Sequence, residues 1–192
     1  MNRKFRAHIF EIFICKVASK YRPMNRWRIA MKDCPDSRVV CPISHGPVLV
    51  SALLTCVLTY IAGVFVWGGQ FVFGLPFGPS TGALPEIVKY DLLTRLFVGS
   101  LAAPIVETFL FQWLPIRLIR RTFGGSVYSA IGASTLVFGA AHGYSILYMA
   151  VALWGGLTFA TVFVLRDYPG GHPFLVIATA HAARNTLASF LI

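Results

Sequence analysis

A chain of 192 residues that is 56% hydrophobic and only 12% charged has more apolar surface than a core of its size can hide, because soluble domains carry about 25% charged residues. A bilayer is the solvent that fits such a composition. The formal net charge of +10 does not mark a nucleic-acid partner: ten of the 17 Lys and Arg lie in residues 1–46, no nucleic-acid motif accompanies them, and most of the rest fall between apolar runs, as expected for anchoring at anionic lipid headgroups.

Residues 1–46 form a basic cytoplasmic or interfacial tail. Phe5, Ile9, Phe10, Ile12, Phe13 and Val17 alternate with basic residues, the pattern of a helix lying in the membrane interface. Glu11 interrupts the apolar run and no small-residue cleavage site follows, so a signal peptide is not expected. The stretch through Pro23, Pro35, Pro42 and Pro47 reads as loop. Cys15, Cys34, Cys41 and Cys56 form no CxxC pair and have no His at zinc-finger spacing, which predicts free thiols in a reducing compartment.

Residues 47–192 are predicted to form a transmembrane helical domain. The first span covers about 48–73 and carries no formal charge. A Pro- and Gly-rich connector leads to a second span over about 92–115. After the basic loop with Arg117, Arg120 and Arg121, the stretch 126–165 is long enough for two crossings that turn near Gly143–Ser145. The last span is 174–192. The fold class is therefore all-α, a polytopic transmembrane helix bundle of five spans. Basic residues at 1–46, 117–121 and 166 fall on one side, against Lys89 and Arg95 on the other, so the N-terminus is predicted to be cytoplasmic.

Ionisable groups inside spans cost on the order of 2.5–3.5 kcal/mol each on insertion scales, and here they cluster. The second span holds Glu107 and Gln112, the third ends with His142, and the last holds His181, Arg184 and Asn185. His181 and Asn185 are one turn apart on a helix face, as are Phe138 and His142. Pro104 weakens the helix just before Glu107. A carboxylate beside an imidazole can activate water, and a second imidazole with an amide can donate to an oxyanion. The small residues Ala140, Ala141, Gly143, Ala180, Ala182 and Ala183 allow close helix approach. Each residue also has a plainer reading. The histidines can serve packing, and Asn185 can join helices. Spacing alone leaves a hydrolase and a proton-coupled transporter both open.

Three stretches, "ETFLFQ" at 107–112, "FGAAH" at 138–142 and "HAARN" at 181–185, resemble in order and spacing the EExxxR, FxxxH and HxxxN motifs of the CPBP family of intramembrane proteases. That family includes CAAX prenyl proteases and bacteriocin-processing or immunity proteins. The resemblance covers roughly 92–192. Thr108 stands where the family's second Glu falls and Gln112 where its Arg falls. The resemblance implies an intramembrane endopeptidase acting on a membrane-anchored protein or peptide. Glu107 and His142 would activate water, His181 and Asn185 would stabilise the oxyanion, and Thr108, Gln112 and Phe138 would support them. The alternatives are a non-catalytic binding or immunity protein of the same family, or a small proton-coupled transporter. No cofactor is expected. A zinc ion would have to use His142, His181 and Glu107, because there is no HExxH. The expected location is the prokaryotic cytoplasmic membrane, with the bilayer itself as a partner; the oligomeric state is not legible.

Three positional expectations accompany this. With these span limits His142 lies roughly 10–15 Å further out than Glu107 and His181, at 1.5 Å per residue. Arg184 is expected to snorkel to the outer face, the alternative being a pair with Glu107. His8, His45 and His172 are expected in loops.

Overall fold

The computed structural model describes residues 42–74 and 90–191, and these contain helices and no strand. The interfacial helix expected in the tail, Cys15, Cys34, Cys41 and most of the connector lie outside the described residues. The helices are α1 (Pro42–His45), α2 (Val48–Phe73), α3 (Leu92–Thr122), α4 (Val127–Ala141), α5 (Ile146–Arg166) and α6 (Pro173–Leu191). His45 thus closes a helical turn rather than sitting in a loop. Three helices are long and apolar enough to cross a membrane, with windows at Val48–Phe65, Leu92–Thr122 and Ile146–Arg166, while α4 is a shorter apolar helix. The turn expected near Gly143–Ser145 separates α4 from α5.

The helices turn large apolar side chains outward, and α2 buries hydroxyls instead. On α2, Ser51, Thr55 and Thr59 recur every four residues and are buried, while Leu53, Val57 and Val64 are exposed. The hydroxyls are satisfied locally: Thr55 donates to the Ser51 carbonyl (2.6 Å) and Thr59 to the Cys56 carbonyl (2.7 Å). Small and hydroxylated residues at the interface let helices pack closely where lipid supplies no hydrophobic drive. Cys56 is a buried free thiol.

Helix α3 continues to Thr122, seven residues past the expected end of its span. Two prolines make this possible instead of stopping it. Proline lacks an N–H and its ring crowds the carbonyl four residues earlier. The chain answers by widening its turns over Leu96–Ala102, Thr108–Trp113 and Leu118–Thr122. Ala103 N–H then donates five residues back to Val98, and Leu114 N–H to Phe109. The widened turns also set a register. The buried stripe of α3 is Ser100, Pro104, Thr108, Gln112 and Ile116, a spacing of four. In a regular helix such a stripe would drift by about 40° per step. Wider turns cancel the drift and keep these residues facing the bundle.

Helix α4 crosses α5 at near contact. A Cβ on Gly139 would lie 2.4 Å from Leu153 Cδ2, and one on Gly156 would lie 3.1 Å from Phe138 Cβ. The missing side chains let the two backbones approach. Ser126 caps the start of α4 by accepting from Ser129 N–H (3.0 Å), and Ser145 caps α5 by accepting from Tyr148 N–H (3.0 Å).

The α3–α4 and α5–α6 turns share one end of the bundle. Arg117 is ion-paired with Asp167 across them. Buried Arg166 donates to the carbonyls of Gly171 (2.7 Å) and Gly46 (2.6 Å) and to the Ser51 hydroxyl (2.8 Å). Gly171 has no alternative there, because a Cβ would fall 1.8 Å from the Arg166 carbonyl. His172 lies in this turn, exposed, as expected.

Candidate active site

The polar residues of α3, α4 and α6 meet. Glu107 Oε2 lies 3.5 Å from His142 Nε2 and 3.6 Å from His181 Nε2. The depth offset expected for His142 is absent. The extension of α3 is the reason: Glu107 lies 15 residues before Thr122, and His142 lies 15 residues after Val127. Both therefore stand about 22 Å from the shared α3–α4 turn at 1.5 Å per residue.

Each histidine is held differently. His142 is the first residue past α4, and its Nδ1 lies 2.7 Å from the Phe138 carbonyl. A carbonyl only accepts, so Nδ1 carries the proton and Nε2 is the atom left for Glu107. The Phe138 ring stacks on the imidazole, with centroids 4.4 Å apart. Phe138 thus orients His142 by both backbone and side chain. His181 is buried between Phe138 (5.8 Å) and Phe159 (5.1 Å), and its Nδ1 has no hydrogen-bond partner. A proton on Nε2, directed at Glu107, leaves Nδ1 bare, which suits an apolar wall.

Asn185 reaches a different target. Its Nδ2 donates to the Gly99 carbonyl at 2.8 Å. That carbonyl is free because Ala103 N–H is taken by Val98 and Pro104 has no N–H to offer. In the same way, Phe111 lies four residues before Pro115, and its carbonyl accepts from the Ser134 hydroxyl of α4. The two prolines therefore supply acceptors by which α6 and α4 are tied to α3, above and below Glu107. Asn185 keeps a second amide hydrogen. Thr108 and Gln112 are fully buried in the α3 stripe, and their hydroxyl and amide groups have no hydrogen-bond partner.

Arg184 forms no ion pair with Glu107 among the described residues. Its guanidinium lies 6.0 Å from the Tyr60 ring centre, while its backbone carbonyl accepts from Tyr60 Oη at 2.8 Å. Arg184 borders a recess of about 250 Å³ together with Phe138, His142, Tyr148, Gly155 and Phe159. Tyr148 was not foreseen in the sequence, although it follows the α5 cap by a single turn and its ring lies 5.6 Å from that of His142. Among the described residues, no group of three or more His, Cys, Asp or Glu side chains is arranged to hold a metal ion.

The bundle brings a carboxylate and two imidazoles together among apolar helices, a set of groups able to move a proton. A family model described as type II CAAX prenyl endopeptidase Rce1-like matches residues 89–187. The chain belongs to that protease family, a branch of the CPBP proteins. No curated protein and no solved structure matches the chain.

Proposed function

We propose that this protein is a glutamate-dependent intramembrane endopeptidase that cleaves a membrane-anchored protein or peptide. The observation that carries the reading is the approach of His142 Nε2 and His181 Nε2 to one oxygen of Glu107, at 3.5 and 3.6 Å. These separations are too long for good direct hydrogen bonds, but they gather in one place the three polar atoms that activating a water requires.

In the reaction, Glu107 and His142 take a proton from that water as its oxygen attacks the scissile carbonyl carbon. His181 Nε2–H donates to the oxyanion, aided by the second amide hydrogen of Asn185. The proton passes from the Glu107–His142 pair to the leaving nitrogen. The C–N bond then breaks, giving a carboxylic acid on one fragment and an amine on the other. Phe138 keeps His142 in its working tautomer, and Thr108 and Gln112 support the α3 stripe. No step uses a metal.

We assign the end with Arg117, Arg120, Arg121 and Arg166 to the cytoplasmic side, so that α2 to α6 cross the membrane five times in alternation from a cytoplasmic N-terminus. A peptide with an S-prenylated cysteine in a C-terminal CAAX sequence is the first substrate to test. Purified protein in nanodiscs should cleave it. Glu107→Gln should lower the rate by on the order of 10²–10⁴-fold, the range for loss of a general base, with its thermal unfolding unchanged. Retained cleavage by a folded Glu107→Gln variant would overturn the assignment.

A further inference from the structure

We infer that Arg184 and Tyr148 form a carboxylate-binding subsite beside the water-activating residues, and that a substrate carboxylate close to the scissile bond occupies it. This rests on the endopeptidase reading and names what the site selects.

A guanidinium at this depth is costly unless its charge is met. Three acidic side chains lie among the described residues, and each is accounted for. Asp91 caps α3 through Thr94, Asp167 is paired with Arg117, and Glu107 faces the two histidines without pairing to Arg184. Arg184 therefore has no hydrogen bond or ion pair from its guanidinium among these residues. The Tyr60 ring 6.0 Å away offers only a weak cation–π contact.

The guanidinium is not sealed in, either. It borders the recess that His142 and Tyr148 also line, and it lies within electrostatic reach of Glu107, Tyr148 and His181. The Tyr148 hydroxyl has no hydrogen-bond partner among the described residues. A planar cation and a phenol on one recess are complementary to a carboxylate, which accepts from both. Phe138, Val151, Ala152, Gly155 and Phe159 make the remaining wall apolar.

Position says where that carboxylate falls. Arg184 is three residues beyond His181 on α6, on the same helix face. The carboxylate thus sits within a residue or two of the scissile bond, either as the C-terminus of a short peptide or as an Asp or Glu side chain.

The test uses the full chain in nanodiscs and three lipid-tailed peptides of one sequence. One ends in a free carboxylate, one is C-terminally amidated, and one is amidated with Asp just after the cleaved bond. Wild type should favour at least one carboxylate-bearing peptide over the neutral amide by about 10- to 100-fold in kcat/KM. The peptide preferred identifies the source of the carboxylate. Arg184→Gln should erase this preference, so that the three peptides are cleaved at equal rates whatever the rate on the neutral amide, and Arg184→Lys should restore part of it. Equal cleavage of all three peptides by wild type, or an equal loss on all three in Arg184→Gln, overturns the subsite.

Binding of the same fluorescent peptides to the Glu107→Gln variant, with and without Arg184→Gln, separates the two proposals. A carboxylate preference in binding with no cleavage by wild type retains the subsite and discards the endopeptidase. Cleavage with no preference in either assay does the reverse.

Discussion

Glu107, His142 and His181 were legible as candidate site residues because ionisable groups are conspicuous in apolar helices and recur here at motif spacing. Their convergence at 3.5 and 3.6 Å was not legible, because it depends on where α3 ends. The recess that Arg184 borders was not legible for a related reason: it forms only where the packed helices meet. Tyr148 gave no signal, since a tyrosine in an apolar run reads as packing. At this scale, the assigned mechanism predicts that cleavage survives exhaustive treatment with a zinc chelator. Full loss on chelation, restored by added zinc, would recast Glu107, His142 and His181 as ligands.

Helix α3 is the element on which the site turns. Sequence reading takes Pro104 as a weakness and ends the span at 115. The chain instead uses Pro104 and Pro115 to widen turns and to leave the Gly99 and Phe111 carbonyls for Asn185 and Ser134. Pro104→Ala should therefore stabilise the helix and harm the site together. It restores an N–H that competes for Gly99 and relaxes the register that aims Glu107. We expect a rise in thermal stability in detergent, of at most about 3 kcal/mol, the Pro–Ala difference in a helix interior. Cleavage should fall about tenfold or more, as small misplacements of reacting groups do. Higher activity in this variant would contradict the role given to the proline.

The start of α3 carries its own pH response. Hydrogen bonds from the Thr94 backbone and hydroxyl hold the exposed Asp91 carboxyl below its ordinary pKa. The ionised cap thus contributes above the unfolded pKa, near 3.9, and its contribution is lost as pH falls through the depressed folded value. Exchange protection of the Thr94 amide, corrected for intrinsic rates, should hold through neutral pH and drop only below about pH 4. Asp91→Asn should keep the cap and remove that drop.

At the scale of the molecule, and among the described residues, hydropathy read the order and most bounds of the long helices well, because each apolar run exceeds what a loop can carry. The length of α3 was harder, since its far end is tied to Asp167 through Arg117, a pair far apart in sequence. One consequence concerns the lipid rather than the protein. Helix α4 has 15 residues, about 22 Å at 1.5 Å per residue, and stops at His142, short of the ~30 Å hydrocarbon thickness. Its neighbours α3 and α5, at 31 and 21 residues, do not share the deficit. Such a one-sided mismatch draws the bilayer surface down beside the short helix, toward the residues that consume water. The enzyme should accordingly respond to acyl-chain length, cleaving faster in thinner bilayers of short-chain lipid than in thick ones at equal fluidity. Rates that do not change with bilayer thickness would show that the site draws its water by another route.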